Sequence, residues 1–231
     1  MRLLIVNCDD VGAAISSTYG QYGQMLERAM LRADRRLEIL HADALTGPLP
    51  EDHLFDAALI SGSRADAFGS DLWIRRLIEW VCRVDRPLAG ICFGHQLLAQ
   101  AFGGQVARAP GGWGVGHQSV YVLTERPWMT QSFKEVRVLV SHQDQVLRPP
   151  QGALPILSAP YCPQFSFEIP GVALGLQGHP EFDAGYARLL LERRRGIIDH
   201  ARIDAAIQSL AEPTDAAELN CWIINFLRMA Q

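Results

Sequence analysis

Two short stretches hold residues whose types and spacing could do covalent chemistry. In Gly90-Ile91-Cys92-Phe93-Gly94-His95-Gln96 a cysteine stands between glycines, where the apolar run Pro87–Ile91 gives way to a helical pattern. G-x-C-x-G at a strand-to-helix corner predicts a nucleophile elbow, with the thiol projecting above the sheet and the glycines letting the backbone fold closely. The N-terminus of the following helix favours the thiolate, which is the attacking form. The plain alternative is a buried structural cysteine at the end of a core strand. In Gly178-His179-Pro180-Glu181-Phe182 a histidine and a carboxylate lie two apart in an irregular turn after another apolar run. Glu181 can then lie behind the His179 imidazole, orient it and stabilise its protonated form. A base at one strand end can reach a thiol at another. Cys92, His179 and Glu181 could also be read as zinc ligands, but the elbow would then have no purpose.

Other polar positions are weaker. Ser61-Gly62-Ser63 ends a strand, and a glycine there can offer an unobstructed N–H to an oxyanion, although an ordinary β–α loop looks the same. Ser141-His142-Gln143-Asp144-Gln145 is either a holder for a polar substrate or a solvated turn. Tyr19, Tyr22 and Trp113 could line a site or lie on the surface. Arg188 and Arg193-Arg194-Arg195 read as solvated charge on an exposed helix face.

The elements that must position these residues alternate. Residues 2–7 form a buried parallel strand, and Ala13–Gly23, with no clean period, reads as a loop. From Gln24, Met25, Ala29, Met30 and Ala33 mark a helix, followed by a strand at Leu37–Leu40 and a third at Phe55–Ile60. Ser70 or Asp71 caps a helix whose packed face carries Leu72, Trp73, Leu77, Ile78, Trp80 and Val81. The elbow helix stops at Gly103-Gly104. This alternation predicts a parallel sheet with helices on both faces. Between Gln105 and Pro170 short strands such as Ser119–Leu123 and Val136–Val140 replace helices, as an antiparallel extension. The Gly-rich Pro110–Gly116 reads as a loop. Two or three helices fill Ala184–Gln231, the last of them amphipathic through Leu219, Trp222, Ile223, Phe226 and Leu227.

The 231 residues fit one large α/β domain, residues 1–231, with the helices of about 184–231 packed on it. A net charge of −4 offers nothing to nucleic acid. Five scattered cysteines without C-x-x-C spacing suit a reducing compartment. The apolar run at residues 3–6 is too short for a signal peptide or a span, so a cytoplasmic protein with no membrane partner is expected.

Together the motifs resemble those of the class I glutamine amidotransferases. Gly90–Gln96 is similar to that family's G-x-C-x-G-x-Q nucleophile motif and Gly178–Phe182 to its G-H-P-E-F motif, and the likeness in order and spacing runs from about Arg2 to Leu191. Ile60-Ser61-Gly62-Ser63 and Ser141-His142-Gln143-Asp144 bring it closest to free-standing relatives of the amidotransferase domain of GMP synthase. The resemblance implies a flavodoxin-like open sheet with a small added one and no cofactor or metal. It implies Cys92 as nucleophile, His179 as base and then acid, Glu181 as its orienter, and Gly62 and Phe93 N–H groups as oxyanion hole. Gln96, Ser141 and His142 would hold the amino-acid end of a γ-glutamyl substrate. The implied reaction is acyl transfer through a γ-glutamyl thioester, from glutamine to glutamate and ammonia. No G-x-x-x-x-G-K-[ST] loop is present for a nucleotide. Three functions follow: a glutaminase serving a separate synthetase, an autonomous γ-glutamyl peptide hydrolase, or a non-enzymatic sensor of such ligands.

Overall fold

A computed structural model describes residues 1–230. Its core is a nine-stranded sheet whose first five strands in spatial order are parallel. Strand β1 (Arg2–Asn7) lies between β2 (Glu38–Asp43) and β3 (Ala57–Ile60), and β4 (Leu88–Ile91) continues the series. Side chains alternate across a strand, and β1 is apolar on both faces. Leu3 and Ile5 join one core layer with helices α2 (Tyr22–Ala33) and α7 (Ala216–Met229). Leu4 and Val6 join the other with α3 (Leu72–Arg83) and α4 (Phe93–Ala101). Burying each such aliphatic side chain contributes about 1.5–3 kcal/mol, so the sheet centre is held from both sides.

The remaining strands extend this frame. Strand β11 (Ala173–Leu176) runs parallel to β4, with Leu176 level with Ile91. Beyond it β10 (Cys162–Ile169), β9 (Leu154–Ala159), β6 (Gly114–Val122) and β7 (Glu135–His142) pair antiparallel, and β5 (Gln105–Arg108) with β8 (Asp144–Arg148) forms a separate two-stranded sheet. The flavodoxin-like open sheet with an antiparallel extension is therefore present. Helices α5 (Ala184–Arg193) and α6 (His200–Ser209) pack beside β6 and β7.

Three local expectations are corrected. Residues Ala13–Tyr19 are helix α1, not loop. Only Ile15 is buried within it, so no period was visible, and tertiary contact overrides weak local preference. Residues 114–116 belong to β6, where Gly116 takes φ +79° and lies so close to Ala206 Cα that a Cβ would stand 2.9 Å from it. Leu72 is 75% exposed, because α3 presents Ile74, Leu77, Trp80 and Val81 to the sheet instead.

Candidate active site

Cys92 sits where β4 turns into α4, at φ 50° and ψ −100°. It is the one non-glycine residue with positive φ among the described residues. Such backbone strain, of order 1–3 kcal/mol, persists only where the surroundings enforce it. Here they do. A side chain at Gly90 would stand 2.7 Å from the His95 nitrogen, and one at Gly94 3.0 Å from the Ile60 carbonyl carbon. The two glycines thus let α4 dock directly on β3 and β4. The Cys92 N–H is anchored on the Leu176 carbonyl at 2.8 Å. The first-turn N–H groups of α4, that of Phe93 included, have no partner within the helix.

Facing the elbow is the turn after β11. His179 Nδ1 lies 2.7 Å from Glu181 Oε1, and both side chains are buried. The imidazole also stacks flat on Phe182, with ring centroids 3.9 Å apart. Burial alone would drive His179 toward its neutral form, but the Glu181 carboxylate and the Cys92 sulfur outweigh it and hold the pKa at about 10. A proton donor charged at neutral pH thus stands beside a thiol. Behind the stack, Phe182 packs against Tyr22 and Tyr186. Tyr22 is therefore a buried support two layers behind the imidazole, and Tyr19 packs edge-on against Tyr186.

Gly62 lies over the same pair. A Cβ there would stand 3.0 Å from His179 Cε1 and 3.9 Å from Cys92 Cβ. The Ser61 hydroxyl, which receives the Cys8 N–H at 2.9 Å, donates to the Gly62 carbonyl at 2.9 Å and fixes that peptide. Gln177, level with the elbow at the end of β11, points its amide at Cys92 Sγ from 3.4 Å. Gln96 Nε2 donates to Gln177 Oε1 at 3.0 Å and to the Asp144 carbonyl at 2.9 Å. A cleft of about 270 Å³ opens in front of the thiol, lined by Ser63, Gln96, Trp113, Ser141, His142 and Arg194 among others.

The polar run 141–145 is not a solvated turn. His142, Asp144 and Gln145 are buried, and the His142 Nδ1 contacts the Asp144 carbonyl at 3.0 Å. Burial holds the His142 pKa down at about 4, which keeps the ring neutral. The arginine run is corrected at one position. Arg193 is exposed and Arg195 pairs with Glu192 and Asp204. Arg194, however, caps α5 at φ −100° and ψ 5° and turns into the cleft. Its guanidinium lies 4.5 Å over the Trp113 ring and donates to the Ser141 hydroxyl. Among the described residues no three His, Cys, Asp or Glu side chains assemble as a metal site. Glu181 lies behind the imidazole, on its Nδ1, the position of an orienting partner. No described helix is long and apolar enough to cross a membrane.

The sequence profile of the family "Glutamine amidotransferase class-I" matches residues 15–194. The chain belongs to that family. Relatives at comparable identity differ in scope. Gamma-glutamyl peptidase 3 of Arabidopsis thaliana is 30% identical over 78% of this chain and 76% of its own length. The glutamine-hydrolyzing GMP synthase of Aeropyrum pernix is 31% identical over 84% of this chain but 38% of its own. The crystal structure of a glutamine amidotransferase from Thermotoga maritima superposes with a TM-score of 0.74 at 18% identity, covering 98% of this chain and 99% of that one. Within this class I amidotransferase fold, Cys92, His179, Glu181 and Gly62 converge on one point, with Gln96, Ser141 and His142 on the cleft wall. Two polar residues of the site escaped the sequence. Gln177 had one signal, a polar residue closing an apolar strand. Arg194 had none, being the middle of three identical residues.

Proposed function

We propose that the protein hydrolyses γ-glutamyl amide bonds through a thioester on Cys92. The observation that carries the reading is the strained elbow thiol beside a buried, charged His179–Glu181 pair. The Cys92 thiolate attacks the γ-carbonyl carbon. The resulting oxyanion is received by the N–H groups of Gly62 and Phe93. As the C–N bond breaks, His179 hands its proton from Nε2 to the departing nitrogen, leaving ammonia or an amine and the γ-glutamyl thioester. Water then attacks the thioester carbonyl while His179 takes its proton. Glutamate departs, the sulfur leaves as thiolate, and His179 is charged again. Glu181 keeps the proton-bearing Nδ1 aimed away from the thiol throughout. Gln96 and Gln177 shape the floor beneath the reacting carbonyl, and Ser141 and His142 border the substrate's amino-acid end.

Similarity to a γ-glutamyl peptidase across three quarters of its length supports γ-glutamyl peptides as substrates of the same chemistry. Similarity to the GMP synthase supports glutamine, with a synthetase receiving the ammonia. Glutamate release by purified protein from glutamine and from a panel of γ-glutamyl peptides, with Cys92→Ala alongside, tests both. Peptide turnover abolished in the variant identifies an autonomous hydrolase. Glutamine turnover that rises only with an added synthetase identifies a subunit. Absence of turnover, together with a Cys92 that resists thiol-directed glutamine analogues, refutes the catalytic reading.

A further inference from the structure

The cleft holds a cation without an acidic partner. Its other arginine, Arg64, is held by Asp9 at 2.9 Å, and nearby Arg108 by Asp66 at 3.0 Å and Asp144 at 2.6 Å. Among the described residues no carboxylate makes an ion pair with Arg194, whose side-chain hydrogen bond goes to the neutral Ser141 hydroxyl. It is half-buried and its guanidinium is braced by the Trp113 ring at 4.5 Å. Leaving a partly buried charge unpaired is costly, and the cost is recovered when an anion docks. A stacked guanidinium retains its planar fork of donors, which matches a carboxylate in two parallel hydrogen bonds. Arg194 and Cys92 line the same cleft of about 270 Å³.

We propose that Arg194 is the receptor for a carboxylate of the substrate, holding it while the scissile carbonyl lies on Cys92. This rests on the γ-glutamyl reading above and assigns to one residue the recognition of a carboxylate within reach of the scissile bond. Two sources share that chemistry: the α-carboxylate of the glutamyl group and the carboxylate of a departing amino acid. Trp113 and Ser141 are then positioning residues for the fork. This also gives the Gly-rich segment before β6 a use, since it delivers Trp113 beneath the guanidinium.

The test uses four ligands titrated calorimetrically into Cys92→Ala and into Cys92→Ala/Arg194→Gln. Glutamine carries only the α-carboxylate, 4-aminobutanoylglycine only the glycine carboxylate, γ-glutamylglycine both, and 4-aminobutanamide neither. In the single variant, deleting the carboxylate that Arg194 holds weakens binding about 10- to 100-fold, as expected for hydrogen bonds to a charged group. In the double variant that difference disappears, while 4-aminobutanamide binds as before. Which deletion matters identifies the source. Equal weakening of all four ligands, or no change in any, overturns the proposal and leaves the γ-glutamyl reading standing. If the single variant binds none of the four, both fail. Arg194→Lys provides the check on folding: it retains the charge but not the fork, so the penalty for deleting the carboxylate should shrink several-fold while the thermal melt stays unchanged.

Discussion

Replacing Glu181 by Gln tests the electrostatic core of the site. The amide is nearly isosteric, and its oxygen can still accept from the His179 Nδ1–H, so position and tautomer are retained while the negative charge is removed. In the wild-type protein burial opposes a charged His179, and Glu181 with Cys92 reverses that, to a pKa of about 10. With the carboxylate gone, only the sulfur opposes burial, and the pKa falls back toward the ordinary 6.5. At pH 8 the imidazole then passes from almost wholly charged to mostly neutral, and most of the proton donor is lost. The first assay is the pH profile of kcat/KM for glutamate release. In wild type the alkaline limb lies near pH 10, and in Glu181→Gln it lies close to neutrality. The second is the rate of Cys92 alkylation by iodoacetamide. A positive charge beside a sulfur favours its attack on an electrophile, so the variant, with that charge lost, should react more slowly. Superimposable pH profiles in a variant with an unchanged thermal melt would show that Glu181 only orients the ring, and the charge argument would fail.

The His179 shift also has a sign for stability. A pKa raised in the folded state contributes stability that is complete below about 6.5 and is lost as pH climbs through about 10, so wild type should lose denaturant midpoint over that window and Glu181→Gln should lose less. Cys92→Gly should be inactive yet more stable: relief of about 1–3 kcal/mol of strain at φ 50° exceeds the roughly 0.5–1 kcal/mol entropic cost of glycine. A melting temperature at or below that of Cys92→Ala would count against strain at the elbow. Gly94→Ala should destabilise by about 1–3 kcal/mol or more through its clash with the Ile60 backbone. Gly196→Ala, where a Cβ meets nothing within 4 Å, should leave the melt within about 1 kcal/mol of wild type.

What the sequence made legible follows the range of the interaction responsible. The elbow and the His-x-Glu turn are local: Gly90, Cys92 and Gly94 lie within five residues, His179 and Glu181 within three, and each brings its own turn chemistry. The parallel half of the sheet was equally legible, because its strands are buried on both faces and read as apolar runs, as β1 does. Strands β9 and β10 were not. Leu154–Ala159 and Cys162–Ile169 mix proline, serine, glutamine and glutamate into their runs, and Glu168 is tolerated only because Arg126 and Trp128 reach it at 2.6 and 3.1 Å from another part of the chain. Helix α1 stayed hidden for the same reason, since Ile15 is buried in a cluster that includes Phe182, Tyr186 and residues of α6, far along the chain.

Arg194 shows where local reading must end. Three consecutive arginines at the close of a helix carry one sequence signal and meet three environments: solvent for Arg193, two acids for Arg195 and the cleft in front of Cys92 for Arg194. What separates them is the helix end. Arg193 is the last residue of α5, and the backbone of Arg194 departs from helical geometry to ψ 5°, which turns its side chain away from the solvent stripe. Trp113, Ser141 and Cys92 meet it there from three other elements. The resulting charge pattern is itself an argument for a carboxylate substrate. The Glu181 carboxylate is paired with one cation, His179, and the second cation, Arg194, stands apart across the cleft on an aromatic face. An anion docked on Arg194 is held by the guanidinium across the cleft from Cys92, which leaves the neutral amide carbonyl as the part of the substrate that can approach the sulfur.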